Sequence, residues 1–422
     1  MAANLRNWAG NYAYTAARVH YPRTVEEARR IVAASQRVRA LGTRHSFNDI
    51  ADCSGDLISL EQLDRIIEID SAARTVTVDG GVRYGQLGQR LHREGWALHN
   101  LASLPHICIA GACATATHGS GEGNGNLATA VCAMDLITAD GELLTISRQR
   151  NGLEFDGMIV NLGALGIVSR ITLNIEPTFA VRQDVYENLP MTALAEHFDA
   201  IQASAYSVSL FTDWQRDRIN QVWLKRRVRD DDAAAAAPTF FGAMPAPVDR
   251  HPIVEISAEN CTTQEGIAGP WHERLPHFRM EYTPSSGAEL QSEYFVPRQH
   301  AVAALAAVGQ LQERIAPLLL ICEIRTIAAD ALWMSPCFER ASVAIHFTWK
   351  QNWAAVGALL PVIEAQLAPF DARPHWGKLF TMSPEKLGAL YDRLADFGRL
   401  LRKYDGGGKF CNEFVDRYIF GM

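Results

Sequence analysis

Leu41-Gly42-Thr43-Arg44-His45-Ser46-Phe47 follows a short apolar run, Val38 to Leu41, that breaks at Gly42. Before it, Thr24 and Glu27 form a capping box, and Ala28, Ile31, Val32 and Ser35 continue one helical face. After it, Thr75-Val76-Thr77-Val78 alternates with period two and closes on Gly80-Gly81. Arg83 to Glu94 reads as a helix with Leu87 and Leu91 four apart, and 133–146 as a hairpin around Asp140-Gly141. Short helices mixed with short strands predict an α/β or α+β N-terminal domain over residues 1–178.

Past Pro177 the texture changes. YSVSLFTDW and NQVWLKRRV within 205–228 are strand-like, and the Asp-, Ala- and Pro-rich stretch 230–252 reads as a surface loop. Glu289 to Phe295, Ile321 to Ile327 and Val343 to Trp349 are further strands, interleaved with helices at 299–315 and 354–367. They predict a second domain over 179–377. The remainder, 378–422, opens a helix at Ser383-Pro384-Glu385. Its apolar stripe runs through Leu387, Leu390, Tyr391, Leu394, Phe397 and Leu401 to a stop at Gly406-Gly407-Gly408.

Composition narrows the function. The 422 residues are 48% hydrophobic and 21% charged, with a net charge of −7. No basic field for nucleic acid or an anionic membrane follows from that balance. No apolar run approaching the roughly 18 residues of a membrane span and no signal peptide is visible. The expectation is a soluble cytoplasmic protein, and a monomer, since no exposed apolar stripe stands out. The eight cysteines form no CxxC and HExxH is absent, so reduced thiols and no metal site are expected.

Three glycine-rich features remain: the stretch around Gly42, Ala114-Thr115-Ala116-Thr117-His118-Gly119-Ser120-Gly121, and Leu162-Gly163-Ala164-Leu165-Gly166. Backbone lined by Gly and small hydroxyls approaches a pyrophosphate closely, but such loops are also plain turns. GxGxxG, the P-loop and GxSxG are all missing. In the second domain, Glu323 and Arg325, His346 and Thr348, and Glu289, Gln291 and Glu293 each recur at i, i+2, on one face of a strand. With Lys378 they make either a donor and acceptor patch for a ligand rich in hydroxyls or a solvated sheet face. Ile324, Ile345 and Phe347 between them are core in both cases.

These motifs carry a resemblance. Asn7 to Asn11, Gly42 to Asn48, Ala102 to His106, Thr117 to Gly121, Ser207 to Trp214 and Gly269 to His277 match in order. So do Glu289 to Tyr294, Cys322 to Thr326, His346 to Trp349 and His375 to Lys378. Together they resemble the alditol oxidases, the xylitol and sorbitol oxidase group of vanillyl-alcohol-oxidase-type FAD flavoproteins. The resemblance implies an α+β fold: a two-part FAD-binding domain, a substrate cap domain with an antiparallel sheet, and a C-terminal segment returning to the FAD domain. It implies FAD joined covalently to His45 and held by Gly42, Thr43, Arg44, Ser46, Phe47, Ser103, Cys108, Gly111, Thr115, Ala116, Thr117, His118 and Val168. Its polyol pocket falls on Ser103, Gln291, Glu323, Arg325, His346, Thr348 and Lys378. Of these, Glu323, Arg325, His346 and Lys378 are the expected catalytic groups. The implied reaction takes a terminal primary hydroxyl to the aldehyde, with O2 reoxidising the flavin to give H2O2. An aldonolactone oxidase or dehydrogenase of the same flavoprotein type is the alternative.

Overall fold

The computed structural model describes residues 5–228, 237–282 and 288–422. The first helix, Val25–Ala34, starts where the capping box predicts, with the Thr24 hydroxyl accepting from the Glu27 amide. Its buried Ala28 and Val32 meet Val38 and Ile58 of a small parallel sheet. In that sheet Asp56–Ser59 lies between Arg18–His20 and Val38–Leu41. A five-stranded antiparallel sheet follows, in the order Ile66–Asp70, Thr75–Asp79, Ile167–Asn174, Val131–Ile137, Leu143–Ser147. The hairpin around Asp140-Gly141 forms as expected, with Gly141 at φ +84°, a conformation open to glycine.

A nine-stranded sheet holds the second half, every pairing antiparallel. Its centre runs Arg218–Val228, Ser207–Thr212, Leu319–Ile327, Ser342–Lys350, Glu289–Pro297. Period two sorts the faces. Leu290, Tyr294, Ile324, Ile345 and Phe347 are buried in the main core with residues of the helices Met191–Gln202, Ala301–Gly309 and Trp353–Leu367. The alternate positions face a cavity.

The last segment is stitched to the first. Val38 N–H donates to Lys409 O, and the Asn412 amide donates to the carbonyls of Asp49, Ile50 and Asp52. The buried Arg39 guanidinium donates to the carbonyls of Phe410, Ile50 and Leu162.

Several expectations need correcting. The C-terminal helix is two, Pro384–Leu390 and Leu394–Tyr404. Tyr391 leaves the helix at φ −113°, ψ 96°, its ring packed against Trp376 at 4.8 Å and tilted by 40°, while Arg373 Nε donates to the Leu390 carbonyl. Tertiary contacts therefore override a continuous apolar stripe. The helix expected over 299–315 likewise ends at Gly309 and restarts at Gln312. Of the loop expected over 230–252, residues 230–236 lie outside the described residues. Within the rest, Met244–Pro245 adds a short strand against Tyr186 and Glu187. Finally, Trp353–Phe370 is eighteen residues long at a mean hydropathy of 1.4, enough to cross a membrane by length and composition. Here Val356, Leu359, Leu360, Ile363 and Leu367 pack in the protein core, Trp353 is exposed, and the Glu364 carboxylate accepts from Tyr294 and Thr381.

Candidate active site

One continuous cavity of about 710 Å³ runs from the Gly42–Phe47 loop to the polar strand faces. Every residue expected to bind cofactor or substrate lines it except Ala116. Ala116, at φ +53°, turns its methyl into the core and is 1% exposed. Arg44, at φ +63°, is exposed, and its guanidinium donates to the Arg6 carbonyl.

At the loop end, His45 stacks on Trp8 at 5.2 Å and its Nδ1 lies 3.1 Å from Thr43 Oγ1. Its buried Nε2 has no hydrogen-bond partner among the described residues. Burial, helped by His106, pushes this imidazole down to about 4, so the ring is neutral at pH 7. A Cβ on Gly42 would sit 2.7 Å from Cys108 Sγ, so that wall has room only for bare backbone. The loop is also sewn to the substrate side. Phe47 N–H donates to Gly377 O, and the Asn48 amide donates to the carbonyls of Trp376 and Lys378.

At the sheet end, strand register sets the chemistry. Phe211, Glu323, His346 and Glu293 lie side by side across four strands, with Thr348 and Gln291 paired in the next row. Glu293 is the hub. Lys378 Nζ donates to one oxygen at 2.6 Å, and Arg325 at 2.9 Å to the other, which His118 Nε2 also approaches at 3.1 Å. Glu323 accepts from His277 Nε2 at 2.7 Å and lies 3.7 Å from His346 Nδ1. Arg325 also donates to Ser103 Oγ at 3.3 Å.

Burial alone would raise both carboxyl pKa values. Lys378, His118 and Arg325 more than offset it at Glu293, as Arg325 and His277 do at Glu323, and both stay well below the usual range. Burial, then Lys378, pushes His346 down to about 4. Two buried carboxylates thus balance the buried Arg325 and the half-buried Lys378 around a neutral imidazole, neither of whose ring nitrogens has a hydrogen-bond partner among the described residues. Such a site can hold a hydroxylated ligand, stabilise an alkoxide with its cations and take up a proton.

The sequence sets Glu293 on the polar strand face but not among the pocket or catalytic residues, and it assigns His277 no role. Glu293 was findable, as the third member of the Glu289, Gln291, Glu293 alternation. His277 sits outside the strands and helices, where no periodicity marks it.

Comparison with known proteins fits this geometry. A family model described as FAD binding domain matches residues 16–147, and one described as D-arabinono-1,4-lactone oxidase matches 288–418. The chain is 49% identical over the full length of both sequences to an alditol oxidase of Streptomyces sp.. This chain belongs to the alditol oxidase family. Family membership makes it a vanillyl-alcohol-oxidase-type flavoprotein and an FAD-dependent oxidoreductase. An L-gulono-1,4-lactone dehydrogenase of Mycobacterium tuberculosis is more distant, 26% identical over 98% of each chain. The fold is shared with a cholesterol oxidase from B. sterolicum, at a TM-score of 0.79 and 14% identity over 99% of this chain and 96% of that one. FAD fits the loop end on this structure's own terms: glycine-lined walls and a neutral, buried imidazole with an unpaired nitrogen.

Proposed function

We propose that this flavoprotein oxidises the terminal primary hydroxyl of open-chain alditols such as xylitol and sorbitol to the aldose, with FAD bonded to His45 and O2 as the electron acceptor. The reading is carried by one observation: a single cavity joins the unpaired His45 nitrogen to the Glu323, Arg325, His346, Thr348 and Lys378 wall. The cofactor would rest on Gly42 to Phe47, Ser103, Cys108, Gly111, Thr115, Thr117, His118 and Val168. When bound, it supplies the hydride acceptor and delivers the electrons to O2.

The chain's own residues do the rest. His346, neutral and unpaired, takes the hydroxyl proton. Lys378 and Arg325 stabilise the alkoxide character that develops as it leaves. Ser103, Gln291 and Thr348 bind the remaining hydroxyls, and their burial makes a ligand lacking a hydroxyl costly, since a site group is then left unpaired. The Asn48 bonds to the 376–378 carbonyls hold the pocket against the loop that carries His45, which supports orientation of the reacting carbon.

The match of residues 288–418 to the lactone-oxidase model favours a second reading, oxidation of an aldonolactone. Initial rates of H2O2 release with xylitol and with L-gulono-1,4-lactone separate the two. Xylitol is expected to give the larger kcat/KM, and the reverse order would replace our reading with the second.

A further inference from the structure

Behind the pocket wall a lysine is buried without a carboxylate. Lys225, on Arg218–Val228, is 0% exposed, and among the described residues it has no ion-pair partner. Its Nζ donates to the carbonyls of Leu275 at 2.6 Å and Pro276 at 2.9 Å, and lies 3.1 Å from His277 Nδ1. An ammonium has three donors and no lone pair, so Nδ1 must accept. The His277 proton then sits on Nε2 and is donated to Glu323 Oε1 at 2.7 Å. The other Glu323 oxygen faces His346 Nδ1 at 3.7 Å, which favours the proton on that nitrogen and leaves the Nε2 lone pair of His346 free.

We propose that Lys225 is a positioning residue for the oxidation: it fixes the tautomer of His277, which orients Glu323 and thereby keeps the Nε2 lone pair of His346 available to the substrate. The inference rests on the alditol reading of the cavity. Lys225 touches neither substrate nor cofactor space and does not line the cavity.

The charged and titratable groups around this pair are Glu323 and Arg325, two strands away across Ser207–Thr212, and Cys261 and Arg274. Burial draws Lys225 down to about 7 while Glu323 opposes it, and the ammonium form dictates the tautomer. Burial, then Lys225 itself, holds His277 down to about 4. Removing the lysine therefore lets His277 protonate at higher pH. The imidazolium would hold the Glu323 charge to itself, and Glu323 would no longer orient His346.

The test compares holoenzyme carrying Lys225→Met, His277→Gln and both. In Lys225→Met, the acid limb of kcat/KM for xylitol should move to higher pH than in wild type, with at least a threefold greater fall from pH 7 to pH 5 and unchanged flavin content. In the His277→Gln background the same replacement should not move the limb, because glutamine does not titrate. A wild-type pH profile in Lys225→Met, or a loss equal at every pH, would overturn the proposal. Should Lys225→Met fail to hold flavin, ring 15N shifts of wild-type holoenzyme at pH 6, where Lys225 is an ammonium and His277 still neutral, decide. Nε2–H on His277 is expected, and Nδ1–H overturns the role. Inactivity of wild type on xylitol would sink the alditol reading instead, while the 15N tautomer still reports on Lys225.

Discussion

Lys378 Nζ lies 2.6 Å from one oxygen of Glu293, and Arg325 is held at 2.9 Å by the other. Lys378 comes from the segment bonded to the His45 loop, whereas Arg325 belongs to the central sheet. One buried carboxylate thus fixes the spacing of both cations that face the cavity, although the sequence sets it only on the polar strand face and not among the catalytic groups.

Glu293→Gln leaves Arg325 and Lys378 with Glu323 as their remaining carboxylate. Breaking a buried pair from one side costs about 3–5 kcal/mol of folding stability, and letting the two cations shift by about 1 Å from the reacting centre costs about 100-fold in rate. The kcat/KM for xylitol should therefore fall by roughly 100-fold or more. Steady-state rates beside flavin absorbance check it, and a loss below about fivefold with full flavin content would mean that Glu293 does not organise the site.

Stability should fall on the acid side of neutrality. His251, His272, His277 and His346 are each pushed down to about 4, first by burial. Their unfolded value is about 6.5, so the native state favours the neutral ring. The stabilisation this implies is present above about 6.5 and lost as pH falls toward about 4, because the unfolded chain binds the extra protons. Denaturant unfolding across pH 4–7 measures the slope. His277→Gln should reduce it by one proton, about 1.4 kcal/mol per pH unit. An unchanged slope would mean that His277 is not held neutral.

His45→Ala should keep the fold and lose the covalent link. Beyond Trp8 stacking and the Thr43 contact, this side chain makes no bond on which the surrounding elements depend. Acid precipitation should leave yellow colour in the wild-type pellet and move it to the supernatant in the variant, with activity lowered. Flavin that stays in the variant's pellet would place the link elsewhere.

The sequence made the faces legible and their neighbours invisible. Glu323 and Arg325, like His346 and Thr348, declare a shared face through period two alone, and Ile324, Ile345 and Phe347 are each 0% exposed as that parity demands. That Ser342–Lys350 lies between Leu319–Ile327 and Glu289–Pro297 is a long-range pairing which no local pattern encodes. His277 reaches Glu323 from a segment whose backbone bonds to Ser103 and Thr262, and its ring lies beside Lys225. Tyr391 leaves its helix where its ring packs, tilted, against Trp376 fifteen residues earlier. What the sequence hid was in each case set by contacts distant along the chain.

Thr348→Val tests the hydroxyl-reading wall. The residue is 6% exposed and pairs in register with Gln291, so valine keeps the shape and removes the polar atom. A buried substrate hydroxyl left unpaired costs about 1–3 kcal/mol, so KM for xylitol should rise about tenfold while kcat changes less. A fall in kcat at constant KM would assign Thr348 to the chemical step instead.

Asn412→Ala probes how the C-terminal segment holds the first domain. Its amide donates to the Asp49, Ile50 and Asp52 carbonyls, and its carbonyl oxygen accepts from Val415 N–H at the start of Glu413–Tyr418. Losing the cap costs about 1 kcal/mol, and stranding buried carbonyls adds about 1–3 kcal/mol. Unfolding in urea should therefore show a loss of about 2–4 kcal/mol. The pocket itself is untouched, so kcat/KM at 25 °C should stay within about twofold. Destabilisation below about 0.5 kcal/mol would mean that the buried guanidinium of Arg39, through Phe410, Ile50 and Leu162, anchors this segment without help from Asn412.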